Sequence, residues 1–168
     1  MLRDHLALMA RYDAWATDRL LRAVEAVNDD DYRRPLGLFF GSIHGTLNHL
    51  LVAGEGLWFP RFARGVSPVM ALNAELEPDR ARLAERLRAA AAAWRDWVPQ
   101  CTDAALAGRM VYRRSDGSAM DLPFAGTLAH VFNHGTHHRG QVTAALTALG
   151  RPAPEIDLVW MLVEEKGA

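Results

Sequence analysis

The chain has 168 residues, half of them hydrophobic, and a formal net charge of −1. That length and apolar content are enough for one domain around one core and exclude a disordered polymer. The near-neutral charge argues against a nucleic-acid or anionic-membrane surface, and no run of about 18 apolar residues is present to span a bilayer. One cysteine, Cys101, cannot form an internal disulfide, and Met1-Leu2-Arg3-Asp4-His5 does not begin a signal peptide, so a cytoplasmic setting is expected.

Residues 3–27 are predicted to form the first helix. Leu6, Met9, Ala16, Leu20, Val24 and Val27 recur mostly at three- and four-residue intervals, opposite a polar face carrying Arg3, Asp4, Arg11, Asp18 and Arg22. Asn28-Asp29-Asp30-Asp31 reads as a breaker, and Pro35 and Gly37 extend the loop. Its acids lack the spacing and terminal glutamate of a calcium loop and read as a solvated helix end. Ser42 is expected to cap a second helix running to about Arg64, with Ile43, Leu47, Leu50, Leu51, Leu57 and Trp58 as its apolar surface. His49 lies mid-helix, and its same-face neighbours Gly45, Ala53 and Gly56 are all small. Interior glycines cost about 1 kcal/mol each. Close approach is therefore expected there, by another helix, by a metal beside His49, or by both.

Glu77-Pro78-Asp79 opens a third helix, in which Leu83, Leu87, Ala90, Trp94 and Trp97 follow the spacing of a bundle seam, and Pro99 stops it. The tryptophans read as core and Cys101 as an incidental thiol with no basic neighbour. Residues 108–123 change character to a short hairpin around Asp116-Gly117, too small to stand alone and so expected to lie against the bundle. A fourth long helix begins at Phe124 or Thr127 and ends at Leu149, with Gly150 as its cap and Pro152 and Pro154 beyond. A final short helix is predicted over Glu155 to Glu165, with Ile156, Val159, Trp160 and Leu162 as its apolar side. The predicted fold class is all-α: one domain over residues 1–168, a four-helix bundle with a small β-hairpin inserted before the fourth long helix and a short C-terminal helix.

Four of the seven histidines fall between His130 and His138. At about 100° per residue, His130, His134 and His138 form a row, Gln141 returns to it, and His137 sits about 60° to one side of His134. Measured from His134, Phe124, Leu128, Val131, Val142, Leu146 and Leu149 fall between about +60° and +120°, so the row borders the apolar stripe. Arg139, near +140° by the same measure, points elsewhere. Imidazoles one turn apart offer a transition metal two nitrogen ligands, and His49 on another long helix is a further candidate. Each ligand imidazole should bond through its other ring nitrogen to an oxygen, with Asp13 or Asp157 available. Three neutral imidazoles with open positions make a catalytic type of site, one that lowers the pKa of a bound water or thiol. A plain bundle with satisfied histidines is the alternative. No Ser-His-Asp arrangement, carboxylate pair or phosphate loop stands out.

The string His134-Gly135-Thr136-His137-His138-Arg139-Gly140-Gln141, followed by an apolar helix and Gly150, resembles the DinB family, also called the DinB/YfiT-like metalloenzymes. Thr46-Leu47-Asn48-His49-Leu50-Leu51-Val52-Ala53 with Trp58 downstream is a second match, and Tyr12-Asp13-Ala14-Trp15-Ala16 a looser third. Together they span nearly the whole chain. The resemblance implies a four-helix bundle with a divalent metal, zinc or nickel ahead of iron, held by His49, His134 and His138. His137 falls where the family often has another residue and is left out. His130, and Gln141 on the same face, become candidates for lining the pocket or steadying a ligand. The chain departs from the family at Gly54-Glu55-Gly56, where many members carry an aspartate after the alanine. The implied activity is that of a thiol S-transferase, using a low-molecular-weight thiol of the bacillithiol or mycothiol kind on a small electrophile. A non-catalytic metal-binding, damage-inducible protein is the alternative, and the implied assembly is a homodimer.

Overall fold

The computed structural model of the chain describes residues 1–167. Helix α1 (Leu2–Glu25) turns Leu6, Ala10, Ala16, Leu20 and Val24 inward at the predicted spacing. Asn28 does more than break the chain. Its side chain accepts from the Asp31 N–H and caps a short helix, α2 (Asp29–Arg33), whose Tyr32 is buried. The three acids occupy the first turn of α2, where the helix dipole favours them.

Ser42 accepts from the Gly45 N–H and starts α3 (Ile43–Leu51). The rod continues through a π-helical stretch, Val52–Trp58, into α4 (Phe59–Arg64), and Gly65 ends it in the left-handed conformation. Asp79 caps α5 (Arg80–Trp97), which a single 3-10 turn (Val98–Gln100) and the short α6 (Asp103–Leu106) follow. Strands β1 (Arg109–Arg113) and β2 (Ala119–Pro123) pair antiparallel with Val111 opposite Asp121. They lead into α7 (Phe124–Ala148), and α8 (Leu158–Gly167) closes the chain.

Helices α1 and α3 each pack on both α5 and α7, so α1 and α3 lie diagonally across the bundle and α3 runs beside α7. Two large apolar clusters hold the bundle helices together, and a third, smaller one joins α1 to α8. Of the large ones, the first contains Leu20, Ile43, Leu47, Leu51, Leu83, Val142 and Leu146, and the second Leu6, Phe62, Trp94, Leu128 and Phe132. Each such side chain, fully buried, contributes about 1.5–3 kcal/mol. The hairpin turns Met110 and Tyr112 into the second cluster, so it lies against the bundle as expected. Between the large clusters α1 and α7 meet at a polar level, where Arg139, 1% exposed, forms an ion pair with Asp13.

The last helix differs from expectation. It begins at Leu158, and Met161 alone of its residues is buried, while Val159, Trp160 and Leu162 stay exposed. Met161 packs on Tyr12 and Ala16 of α1, and two acids flank that contact. Glu164 accepts from the Trp15 Nε1–H at 2.7 Å and pairs with Arg19, and Glu165 pairs with Arg11 at 3.0 Å. These residues share a face with Met161, one turn away.

Candidate metal centre

The diagonal arrangement brings His49 of α3 against His134 and His138 of α7. The Nε2 atoms meet, with 3.1 Å from His49 to His134 and 3.1 Å from His138 to His134. The ligand atoms of the three histidines all lie within 4.8 Å of one another. The Nδ1–H of His49 donates to the Leu72 carbonyl oxygen at 2.8 Å, and the Nδ1–H of His138 donates to Gln141 Oε1 at 2.7 Å. A carbonyl oxygen only accepts, so both rings carry their proton on Nδ1 and present Nε2 lone pairs to the centre. The single Nε2 hydrogen that His134 can carry satisfies one of those lone pairs and not both. At least one 3.1 Å contact is therefore left lone pair to lone pair, which hydrogen bonding does not satisfy and a shared cation does. Two nitrogens at about 2.0–2.1 Å from one zinc ion lie about 2.9–3.4 Å apart for angles between square and tetrahedral. The three residues fit a divalent metal.

Burial keeps these imidazoles neutral, the state that ligates. Desolvation lowers His49 to about 4, against the Leu72 hydrogen bond that favours its charged form. It lowers His134 to about 3, with repulsion from His138 next in size. His138 is lowered too, desolvation outweighing its bond to Gln141.

Two loops complete the surroundings of His49. Phe40, from the loop before α3, stacks on its ring with centroids 3.7 Å apart and planes 14° from parallel. Leu72, from the loop between α4 and α5, supplies the carbonyl. The small residues flanking His49 make room for these loops. A Cβ on Gly45 would collide with the Phe40 carbonyl oxygen, and one on Gly56 would lie 2.9 Å from Met70 Sδ. Close approach is thus confirmed, but by loops and not by a neighbouring helix.

A family model described as the DinB family matches residues 1–167. The chain belongs to the DinB family. Over 167 residues this DinB-family chain is 24% identical to Protein DinB of Bacillus subtilis (strain 168), covering 93% of this chain and 92% of that one. Its fold is also similar to a solved structure from Bacillus subtilis, YfiT, described as a probable metal-dependent hydrolase with an unusual four-helix bundle topology. The TM-score is 0.70 at 14% identity, over 89% of each chain. That likeness is one of fold.

The remaining predicted residues divide. Gln141 stands behind His138 as its hydrogen-bond acceptor. His130 stays outside the trio, with its ring 5.6 Å from that of His134 and edge-on to Trp58 at 5.5 Å. His137 is exposed and accepts from Gln141 Nε2 at 3.3 Å. Neither proposed acid steadies a ligand: Asp13 is taken by Arg139, and Asp157 is exposed. Arg139 does not point away but is buried against α1. Glu55, in the segment that departs from the family, pairs with Arg86 at 2.6 Å. Cys101 is buried, and desolvation raises its pKa, which suits an inert thiol. Among the described residues no helix is long and apolar enough to cross a membrane.

A cleft of about 410 Å³ adjoins the trio, lined by His49 and His134 and also by Trp58, Arg61, Tyr112 and His130. Sequence spacing gave no sign of Arg61. In an unbroken α-helix it would lie about 120° round from His49. The wider π turns between them take up about one extra residue and remove about 100° of that angle. Gly54 and Gly56, poor α-helix formers at the centre of that stretch, were the available signal.

Proposed function

We propose that this protein is a divalent-metal-dependent enzyme that activates a low-molecular-weight thiol for attack on a small electrophile. His49, His134 and His138 would hold the metal through Nε2. The observation that carries this reading is the meeting of three Nε2 atoms, at least two of them with lone pairs turned inward, at the wall of an open cleft. A divalent ion bound there, zinc or nickel ahead of iron, supplies a nucleophile near neutral pH by lowering the pKa of a coordinated thiol or water. Leu72 and Gln141 fix the tautomers of His49 and His138. Phe40 covers the face of His49 on which it stacks. The cleft beside His49 and His134 takes the second reactant. A thiol of the bacillithiol or mycothiol kind, a homodimeric state and a cytoplasmic location belong to the same proposal. Hydrolysis, with water in place of the thiol, is a second reading, favoured by the description of YfiT.

The test starts from protein stripped of metal and reloaded with one equivalent of zinc or nickel. It is incubated with a thiol and a panel of epoxides, activated alkenes and alkyl halides. Metal-dependent thiol consumption with thioether formation, absent in His49→Ala, is the expected result. Product without thiol consumption means hydrolysis. Neither, in protein that binds metal stoichiometrically and melts much lower on chelation, leaves the non-catalytic alternative. Elemental analysis checks the ligand set: His49→Ala, His134→Ala and His138→Ala each lose the metal, while His130→Ala and His137→Ala retain it.

A further inference from the structure

Two arginines are buried among the described residues, and they are satisfied very differently. Arg139 has the carboxylate of Asp13. Arg61, 7% exposed, has no carboxylate partner. Of its five N–H groups one donates to the backbone oxygen of Arg113, at 3.3 Å, and its buried Nε–H has no partner. Its charge rests beside two adjoining rings, with Cζ 4.9 Å from Trp58 and 4.6 Å from Tyr112, a weaker partnership than a carboxylate offers. Arg61 nevertheless opens on the cleft that His49 and His134 share. Arg114 lines the same cleft, and the one acid there, Asp116, is divided between Arg114 at 3.6 Å and Ser118. Apart from its histidines, the cleft carries one more positive side chain than negative.

A guanidinium held against rings, with free N–H groups in a fixed plane, is suited to the two oxygens of a carboxylate or phosphate. The π stretch gives it that position, since it turns Arg61 onto the side of His49. Trp58 lines the same cleft, its ring 5.5 Å from that of His130 and 4.9 Å from Arg61 Cζ. We infer that the small molecule acted on carries an anionic oxygen group, a carboxylate or a phosphate, which Arg61 binds while the reactive part lies against His49 and His134. The anion site stands on Arg61 alone; the placement of the reactive part rests on the proposed function.

A merely structural Arg61, clamping the hairpin to α4 through Tyr112 and the Arg113 carbonyl, makes a different prediction. Benzoate, phenyl phosphate and uncharged benzyl alcohol are titrated into metal-free and zinc-loaded protein and followed by tryptophan fluorescence or calorimetry. At least one anion should bind ten times or more tighter than benzyl alcohol in both forms, and the stronger of the two identifies the oxygen group. Arg61→Gln should reduce that preference at least tenfold, with zinc affinity and the binding of benzyl alcohol unchanged. Equal affinities for all three probes in the wild type would overturn the inference, as would an Arg61→Gln protein of unchanged melting temperature that keeps the preference. If Arg61→Gln melts lower, Arg61→Lys carries the test, since it keeps a charge near the rings and loses the planar fork; an undiminished anion preference in it overturns the inference. Anion preference in metal-free protein that binds no zinc would sink the proposed metal chemistry and uphold Arg61. Zinc binding without anion preference would do the reverse.

Discussion

Gly135 and Gly140 lie on the same helix within the same histidine-rich string, and alanine should affect them in opposite directions. Helix propensity alone favours alanine by about 1 kcal/mol at either site. A Cβ on Gly140 meets nothing within 4 Å, so Gly140→Ala should stabilise by about 0.5–1 kcal/mol. A Cβ on Gly135 would lie 2.7 Å from Asp13 Oδ1 and 2.9 Å from Arg139 Nη1, wedged against the ion pair. Side-chain ends usually move aside cheaply. Here Arg139 is enclosed between the two large apolar clusters, and its buried Nε already has no partner. Breaking a buried pair costs about 3–5 kcal/mol, because one charge is left uncompensated. After the gain in propensity, Gly135→Ala should destabilise by about 2–4 kcal/mol, a fall in Tm of roughly 5–15 °C for a chain of this size. Urea unfolding of metal-free protein, followed by circular dichroism, measures both variants. In an Asp13→Ala background the nearest obstacle is gone, and the cost of Gly135→Ala should drop by at least about 1 kcal/mol. A Gly135→Ala protein as stable as Gly140→Ala would show that the pair slides freely, and the account of the polar level would be wrong.

Gln141→Leu keeps the bulk beside His138 and removes the acceptor of its Nδ1–H, so zinc affinity should fall by about 10–100-fold in competition with a chromophoric chelator. Unchanged affinity would mean that something else sets the His138 tautomer. The metal-free protein should lose stability as pH falls from about 6.5 toward 4, because His49 and His134, lowered to about 4 and about 3, stay unprotonated when the unfolded chain takes up protons. Urea midpoints at pH 8, 6 and 4.5 measure this. A flat profile over that range would contradict the depressed values.

Helical periodicity made part of the site legible, and its limits explain the rest. One turn of α7 relates His134 to His138, and Gln141 falls three residues beyond, so their common face follows from geometry alone. The partner of that face depends on which helices are neighbours, a matter of topology. Arg139 shows the cost of missing this. Set against one apolar stripe it pointed away, but α7 has α3 on one side and α1 on another, and Arg139 faces α1 and Asp13. The acceptor for His49 is a backbone carbonyl, a group present at every residue and therefore without a sequence signal. Asn28 did carry a signal, a capping side chain with acids in the following turn, though the cluster also reads as a plain breaker. The π stretch is the deeper case. Counting seven residues on from His49 at constant pitch makes Gly56 its same-face neighbour and leaves Arg61 about 120° away. Dropping one residue from the count at the glycine pair brings Arg61 within about 20° of His49. Two glycines between a candidate ligand and a later cation are therefore reason to draw the helical wheel twice, once with each phase. Only the second drawing places a cation beside the candidate metal ligands.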